Sequence, residues 1–275
     1  MRRLGLIGAG GMAETVLAAL AAGLPAPIEH LAVLVPPGME ESAHALLARH
    51  GAAVAAERSI HTDLTSLLDT EPQVVAECAG HGAVRAHGAE ILGTGRDLVV
   101  ISVGSLADDA LRESLAEAAR MGGARLVLPA GAVGGIDVLA AARLSGLDEV
   151  TYSGRKPPRA WRGTPAETLL DLDALTEPTV FYEGTAGEAA RDYPQNANVA
   201  AAVALAGAGF ARTRVRLVAD PTVTRNVHEV TVRSGCADFT IRLEGRPSPA
   251  NPKTSLTAGY SVARELLNRV SPIAI

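Results

Sequence analysis

Three observations predict a two-domain α/β protein, with a doubly wound parallel sheet of Rossmann type in front and an α+β domain behind. Short apolar strands alternate with helical segments through the first 130 of 275 residues. A glycine-rich turn joins the first strand to the first helix. From residue 149 onward extended runs crowd together with fewer helices between them. The alternating half calls for a parallel sheet covered on both faces, and the strand-rich half for a separate layer. The length fits one large or two medium domains. With 48% hydrophobic and 20% charged residues, a sizeable core forms without disulfides or structural metal. Aromatics are only 3%, so Ala, Val and Leu build that core.

The elements follow in order. Residues 4–7 form an apolar strand, 12–22 a helix of small and apolar residues, and 31–35 a second strand. Residues 40–50 read as an amphipathic helix and 53–55, centred on Val54, as a weak strand. A short helix over 64–68 precedes a strand at 74–77, then a helix over 81–91 and a strong strand over 97–102. Residues 108–121 are helical, with Ser105 or Asp108 as the cap, and 125–128 form the next strand. A helix over 136–144 opens the second half. Strands are then expected at 149–153, 180–183, 213–218, 226–232 and 238–243, with an alanine-rich helix over 198–207. The three prolines in 155–165 make that segment a loop, and 255–270 is helical. The expected domains are 1–130 and 131–254, with the C-terminal segment 255–275 packing back on the first. No internal repeat occurs.

A net charge of −5 and a pI near 5.8, with no basic block, point away from nucleic acid and anionic membrane surfaces. Cys78 and Cys236 show no CxxC spacing, which argues against zinc or a disulfide framework and fits a reducing cytoplasm. The N-terminus runs straight into the first strand rather than reading as a signal peptide, and the alanine-rich stretches are too interrupted to span a membrane. No metal site is expected.

Gly8-Ala9-Gly10-Gly11-Met12-Ala13 fits G-x-G-x-x-G/A between the first strand and first helix. Gly8 permits the tight turn, Gly10 lets backbone approach a pyrophosphate, and Ala13 is small enough for close helix–strand packing. The phosphate charge then sits on free N–H groups at the helix N-terminus, with Gly11 and Met12 in its first turn. This context predicts a bound dinucleotide. The acidic residue that normally ends the second strand is missing: the chain reads Val35-Pro36-Pro37-Gly38, Glu40 is the first carboxylate, and no Arg stands nearby for a 2′-phosphate. Both NAD and NADP therefore remain open. At the end of the fourth strand, Ala76-Glu77-Cys78-Ala79-Gly80-His81 is a second cofactor-facing segment. His81 either touches the nicotinamide end or is an exposed residue of a helix's first turn.

Four segments stand out in the second half. Gly131-Ala132-Val133-Gly134-Gly135-Ile136-Asp137 is a turn that offers free N–H groups, or an ordinary loop. In Tyr193-Pro194-Gln195-Asn196-Ala197-Asn198, two asparagines open an alanine-rich helix, as caps or as ligands. In Asn226-Val227-His228-Glu229-Val230-Thr231-Val232, strand alternation puts Asn226, His228, Val230 and Val232 on one face and Glu229 on the other, so Glu229 is not the partner of His228. His228 is the only histidine after residue 87, and reads as a satisfied core residue or as a general base. Asn251-Pro252-Lys253-Thr254-Ser255 offers a cation, two hydroxyls and an amide before the last helix, as a loop cap or a carboxylate site. Its lysine is one of only two, the other being Lys156.

Taken together, GLIGAGGMAETV, ISVGSLAD, PAGAVGGID, EGTAGEAARDYPQNANVAA, ADPTVTRNVHEV and NPKTS, in this order, resemble the L-aspartate dehydrogenase family nearly end to end. The resemblance implies NAD(P)-dependent oxidation of L-aspartate to iminosuccinate, which hydrolyses to oxaloacetate and ammonia or feeds pyridine nucleotide synthesis. It assigns the active-site histidine to His228 and further cofactor contacts to the Ala132 backbone and Asn198, and it implies a homodimer joined through the second domain. Asn196, Lys253, Thr254 and Ser255 are the expected substrate-side residues. Two departures each remove a positive charge: the family's Phe-Pro-Lys-Asn reads Tyr193-Pro194-Gln195-Asn196, and its Thr-Ala-Arg-Glu-Ala reads Thr185-Ala186-Gly187-Glu188-Ala189. The competing readings are a semialdehyde dehydrogenase using Cys236, a dihydrodipicolinate-type imine reductase, whose paired-histidine and lysine motif is absent, and a non-catalytic dinucleotide sensor.

Overall fold

The structure, a computed structural model, describes residues 1–194, 197–248 and 251–274, with the side chains of residues 248 and 251–254 excepted. The chain divides into two compact units. One comprises Met1–Pro129, Ser248–Thr254 and Ala258–Ile275, the other Ala130–Pro247 and Ser255–Thr257. The stretch 248–254, expected with the second domain, thus groups with the first.

The first unit is a six-stranded parallel sheet: β1 (Arg3–Ile7), β2 (Ile28–Leu34), β3 (Ala55–His61), β4 (Val74–Glu77), β5 (Asp97–Val100) and β6 (Leu126–Val127). Its order, β3-β2-β1-β4-β5-β6, is that of a Rossmann fold. The central strands β1, β2, β4 and β5 are nearly continuous runs of Leu, Val, Ile and Ala, because helices cover both faces and each side chain meets an apolar neighbour. The strand expected at 53–55 is displaced. Ala52–Val54 complete a helical turn, and the strand is Ala55–His61, an edge strand with exposed Glu57 and Arg58. An edge strand needs no continuous apolar run, so periodicity alone misplaces it. Asp108, not Ser105, caps the helix Asp109–Gly122, its carboxylate accepting from Leu111 N–H at 3.2 Å. The last helix, Leu256–Asn268, runs into this unit: Arg269 meets Asp97 at 2.8 Å, and its carbonyl accepts from the N-terminal amine at 3.2 Å.

The second unit is a mixed sheet of β7 (Leu147–Lys156), β8 (Thr179–Thr185), β9 (Arg214–Ala219), β10 (Val227–Ser234) and β11 (Phe239–Glu244), ordered β11-β10-β7-β9-β8. A short ribbon, β12 (Pro247–Ser248) with β13 (Asn251–Ser255), precedes the last helix. One face of the five-stranded sheet buries Val150, Tyr152, Val215, Leu217, Val230 and Val232 in one core with Ala200, Val203 and Ala204 of the helix Ala197–Ala206. The opposite face carries Glu229, Thr231, Arg233, Thr240 and Arg242. This is the alternation read from residues 226–233.

β7 is longer than the sequence suggests. It continues through Gly154, Arg155 and Lys156, the last two of which were expected in the proline loop. The strand lies between β10 and β9, so its backbone groups find partners on both sides until Pro157 removes a donor. That extension positions the residues of the site.

Candidate functional site

In the first unit, β1 and β4 are neighbours, and the chain leaves them toward opposite ends of the sheet. The crevice beyond their carboxyl ends is the switch point where α/β sheets bind ligands. Two turns meet there. Gly8 adopts φ +100°, and a Cβ on it would come within 3.0 Å of the Cys78 carbonyl and 3.1 Å of Ala79 Cα, so only glycine lets the first turn lie against the second. Gly10 is different: a Cβ there would meet nothing within 4 Å. It is the N-cap of the helix Gly11–Gly23 and supplies no side-chain cap. The helix therefore begins with open space over its N-terminal N–H groups, Gly11 and Met12 half-buried and Ala13 fully buried beneath.

Glu77, at the end of β4, is fully buried and organises the second turn. Its carboxylate accepts from Ala79 N–H at 2.7 Å, Gly80 N–H at 2.6 Å, Ser102 N–H at 3.1 Å and Ser102 Oγ at 3.0 Å. These charge-assisted bonds tie the β4 turn to the end of β5 and satisfy a carboxylate that burial would otherwise make costly. His81, half-buried, is the first residue of the helix His81–Gly93.

In the second unit the site forms on the core face of the sheet. His228, 5% exposed, lies on β10 directly opposite Gly154 of β7. Tyr152 and Lys156 flank Gly154 on the same face, one on each diagonal from the imidazole. Tyr152 leans over Gly154, where an added Cβ would sit 2.7 Å from its hydroxyl, and its Oη reaches His228 Nδ1 at 2.8 Å with the rings stacked at 20°. Burial, and next the charge of Lys156, push the His228 pKa down to about 4, so the imidazole is neutral at neutral pH. Burial likewise raises the Tyr152 hydroxyl far above its ordinary range, which keeps it a phenol.

Lys156 Nζ lies 4.8 Å over the ring centre of buried Trp161, whose indole N–H donates to the Val218 carbonyl at 3.1 Å. Burial of this ammonium pushes its pKa down to about 8. The Lys156 carbonyl accepts from Asp220 N–H at 2.9 Å. The Asp220 carboxylate is held in turn by Arg155 at 2.7 Å and by Thr222 Oγ1 at 2.6 Å, bonds that outweigh its burial and keep its pKa below the ordinary range. The end of β7 is thereby anchored to the end of β9.

The remaining expected residues fall as follows. Ala132 is half-buried in a turn whose flanking Gly131 and Gly135 take left-handed backbone, and Asn198 is exposed in the first turn of the helix Ala197–Ala206. Ser255 ends β13, and its Oγ is buried without a hydrogen-bond partner among the described residues. The backbones of Lys253 and Thr254 lie in β13, their side chains outside what is described; Asn196 lies outside the described residues altogether. Cys236 is exposed in the turn after β10, beyond the strand end remote from His228, while Cys78 is buried. Sequence reasoning missed Tyr152 and Lys156 as partners of His228. The available signals were Tyr152 in phase with Val150 on an alternating strand, and a rare lysine just before two prolines. Among the described residues no helix is long and apolar enough to cross a membrane, and no group of three His, Cys, Asp or Glu side chains could hold a metal.

A Rossmann sheet with an open glycine turn, followed by a mixed-sheet domain that buries a neutral histidine, defines a two-domain nicotinamide-dinucleotide oxidoreductase. The comparisons agree: residues 8–129 match the NAD-binding domain described for homoserine dehydrogenase, and residues 137–269 match the C-terminal domain of aspartate dehydrogenase. L-aspartate dehydrogenase of Ralstonia nicotianae is 45% identical over 276 aligned residues, covering 100% of both chains. That of Cupriavidus necator is 53% identical over 211 residues, 77% of this chain and 79% of the relative. The crystal structure of aspartate dehydrogenase from Thermotoga maritima superposes with a TM-score of 0.74 at 26% identity, covering 100% of this chain and 99% of that one. The chain belongs to the L-aspartate dehydrogenase family.

Proposed function

We propose that this protein catalyses the NAD(P)-dependent oxidative deamination of L-aspartate, reversibly, through iminosuccinate to oxaloacetate and ammonia. The observation that carries the reading is His228: a neutral, buried imidazole oriented by Tyr152 in a chain 45% identical end to end to an L-aspartate dehydrogenase.

The first unit fits the dinucleotide. The open space over Gly10 and the helix start without a side-chain cap suit a pyrophosphate, held by the N–H groups of the turn with Gly8, Gly11, Met12 and Ala13 shaping it. His81, the Ala132 backbone and Asn198 are further proposed contacts. When bound, the nicotinamide supplies the hydride acceptor for Cα of the substrate. The protein's own part is proton handling and positioning. With Nδ1–H donating to Tyr152 Oη, His228 Nε2 carries the lone pair. It takes a proton from the water that adds to the imine carbon and returns it to the nitrogen; the new hydroxyl then gives its proton to the nitrogen by the same route as the C–N bond breaks, which releases ammonia and leaves the carbonyl. Neutrality at working pH keeps that lone pair available. On the substrate side, Ser255 with Lys253, Thr254 and Asn196 are candidates, the buried Ser255 Oγ, without a hydrogen-bond partner among the described residues, supporting the first. We take the protein to act as a cytoplasmic homodimer joined through its second unit; sedimentation as a monomer would count against that assembly.

The test is to mix purified protein with oxaloacetate, ammonia and NADH or NADPH and follow absorbance of the reduced cofactor. Ammonia-dependent oxidation establishes the activity, and the faster cofactor fixes the preference. Intact cofactor binding with no oxidation overturns it.

A further inference from the structure

Resting on the dinucleotide reading of the first unit, we infer that Glu40 stands in for the acid missing from the end of the second strand, accepts from the adenosine ribose and makes the site select NAD over NADP. In Rossmann folds an acid at that strand end bonds the ribose 2′-hydroxyl, and an arginine nearby receives a 2′-phosphate instead. Here β2 ends at Leu34, and Val35, whose N–H donates to the His61 carbonyl at 3.0 Å, leads into a turn. Met39 N–H donates to the Pro36 carbonyl at 3.0 Å and Gly38 takes φ +87°. Such a turn holds its two ends within about 7 Å, so the chain stays beside the strand end. Glu40 is the next residue, the first of the helix Glu40–Leu46. It is half-buried, its carboxylate accepts from no group among the described residues, and it lines a cavity of about 730 Å³ between this helix and β3. A half-buried charge with no donor is costly, and a ribose hydroxyl supplies the donor.

The basic groups of this edge are engaged elsewhere. From Pro36 to Asp63 they are His44, Arg49, His50, Arg58 and His61. Arg49 and His50 both bind Glu14 of the helix Gly11–Gly23, at 2.9 and 3.0 Å. Arg58 packs on Gly51, where a Cβ would stand 2.7 Å from its Cδ. Its guanidinium donates to the Ala55 and Ala56 carbonyls, at the end of β3 remote from the crevice. His61 is bonded through both ring nitrogens, to Ser59 Oγ at 2.7 Å and to Ser66 Oγ at 3.1 Å. Only His44 remains, exposed one helical turn beyond Glu40. Pro36 and Pro37 have no N–H to offer. A 2′-phosphate, with a charge of about −1.5 to −2, would therefore meet the Glu40 carboxylate and no arginine awaiting it.

The experiment is fluorescence titration of NADH and of NADPH into the protein, with Glu40→Gln and, as a control, Glu41→Gln beside the parent. The parent should bind NADH at least about tenfold more tightly than NADPH, because like-charge repulsion acts on the phosphate alone. Glu40→Gln keeps the shape and removes the charge. It should weaken NADH about three- to tenfold and leave NADPH unchanged or tighter, so the preference shrinks by about that factor or more. Glu41 is exposed, and solvent screens its charge, so Glu41→Gln should keep the parent's preference within about twofold. Melting temperatures without cofactor should coincide, since the Glu40 carboxylate has no partner in the fold. Equal affinity of the parent for the two cofactors overturns the assignment, as does an unchanged preference in Glu40→Gln or an equal shift in Glu41→Gln. Binding of neither cofactor overturns the dinucleotide reading with it. The titration uses neither aspartate nor turnover, so the cofactor choice and the catalytic reading of His228 fail separately.

Discussion

The phenolic oxygen of Tyr152 lies 2.8 Å from Nδ1 of His228, joining two neighbouring strands across a glycine. The bond fixes the ring plane, and with Nδ1–H as the donor it leaves the lone pair on Nε2. Tyr152→Phe keeps the ring and deletes only the hydroxyl, so the expected result is a fall in kcat of about 3- to 10-fold, the worth of one buried hydrogen bond. Cofactor affinity, measured by fluorescence titration, should stay unchanged. His228→Ala should cost about 10²–10⁴-fold in turnover, again without loss of cofactor binding. Equal loss of both would make His228 structural.

The buried imidazole also links stability to pH. Its folded pKa of about 4 lies below the ordinary value, so between these limits the unfolded chain binds the proton that the folded chain refuses. The stabilisation is fully present above the unfolded value of about 6.5 and is lost as pH falls toward 4. Between pH 7 and pH 5 the parent should lose about 2 kcal/mol more than His228→Asn, which cannot titrate. Urea unfolding at the two pH values reads the difference; parallel losses would show that another group dominates.

The two glycines of the first turn should respond differently. Gly10→Ala places a methyl in open space, so the fold should keep its stability within about 0.5 kcal/mol. The methyl then occupies the approach to the pyrophosphate, and NADH affinity should fall about tenfold or more. Gly8→Ala strains a left-handed backbone and meets the Cys78–Ala79 backbone, so both stability and binding should fall. Thermal melts with and without NADH separate the two behaviours.

Glu77→Gln tests the junction between the β4 turn and β5. The glutamine amide keeps one acceptor oxygen and turns an NH2 toward groups that donate to the carboxylate. A loss of about 2–3 kcal/mol in urea unfolding is expected, from weakened bonds to a charged acceptor. NADH affinity should fall with it, because the turn lies at the switch point. Unchanged stability would show that Ser102 and the turn hold themselves.

Much of the first unit was legible in the chain. Apolar strands, helices between them and Gly8-Ala9-Gly10 follow local rules of periodicity and backbone freedom, so they can be read one segment at a time. The edge strand β3 was misplaced because an exposed edge lacks the apolar run that marks a buried strand. In the second unit, alternation along residues 226–233 put His228 on the buried face and separated it from Glu229, as the structure has it.

By itself the sequence determined the fold class, the glycine turn, the buried face of β10 and the identity of the one histidine on it. All of these depend on spacing along a single strand or helix. Tertiary structure alone decided what surrounds that histidine. Tyr152 and Lys156 lie 76 and 72 positions away in the chain, and only the antiparallel register of β7 against β10 sets Gly154 opposite His228. Cross-strand register is a property of two segments meeting, selected by hydrogen bonds and packing across the whole sheet. A pair of residues that far apart leaves no mark in the local pattern of either strand.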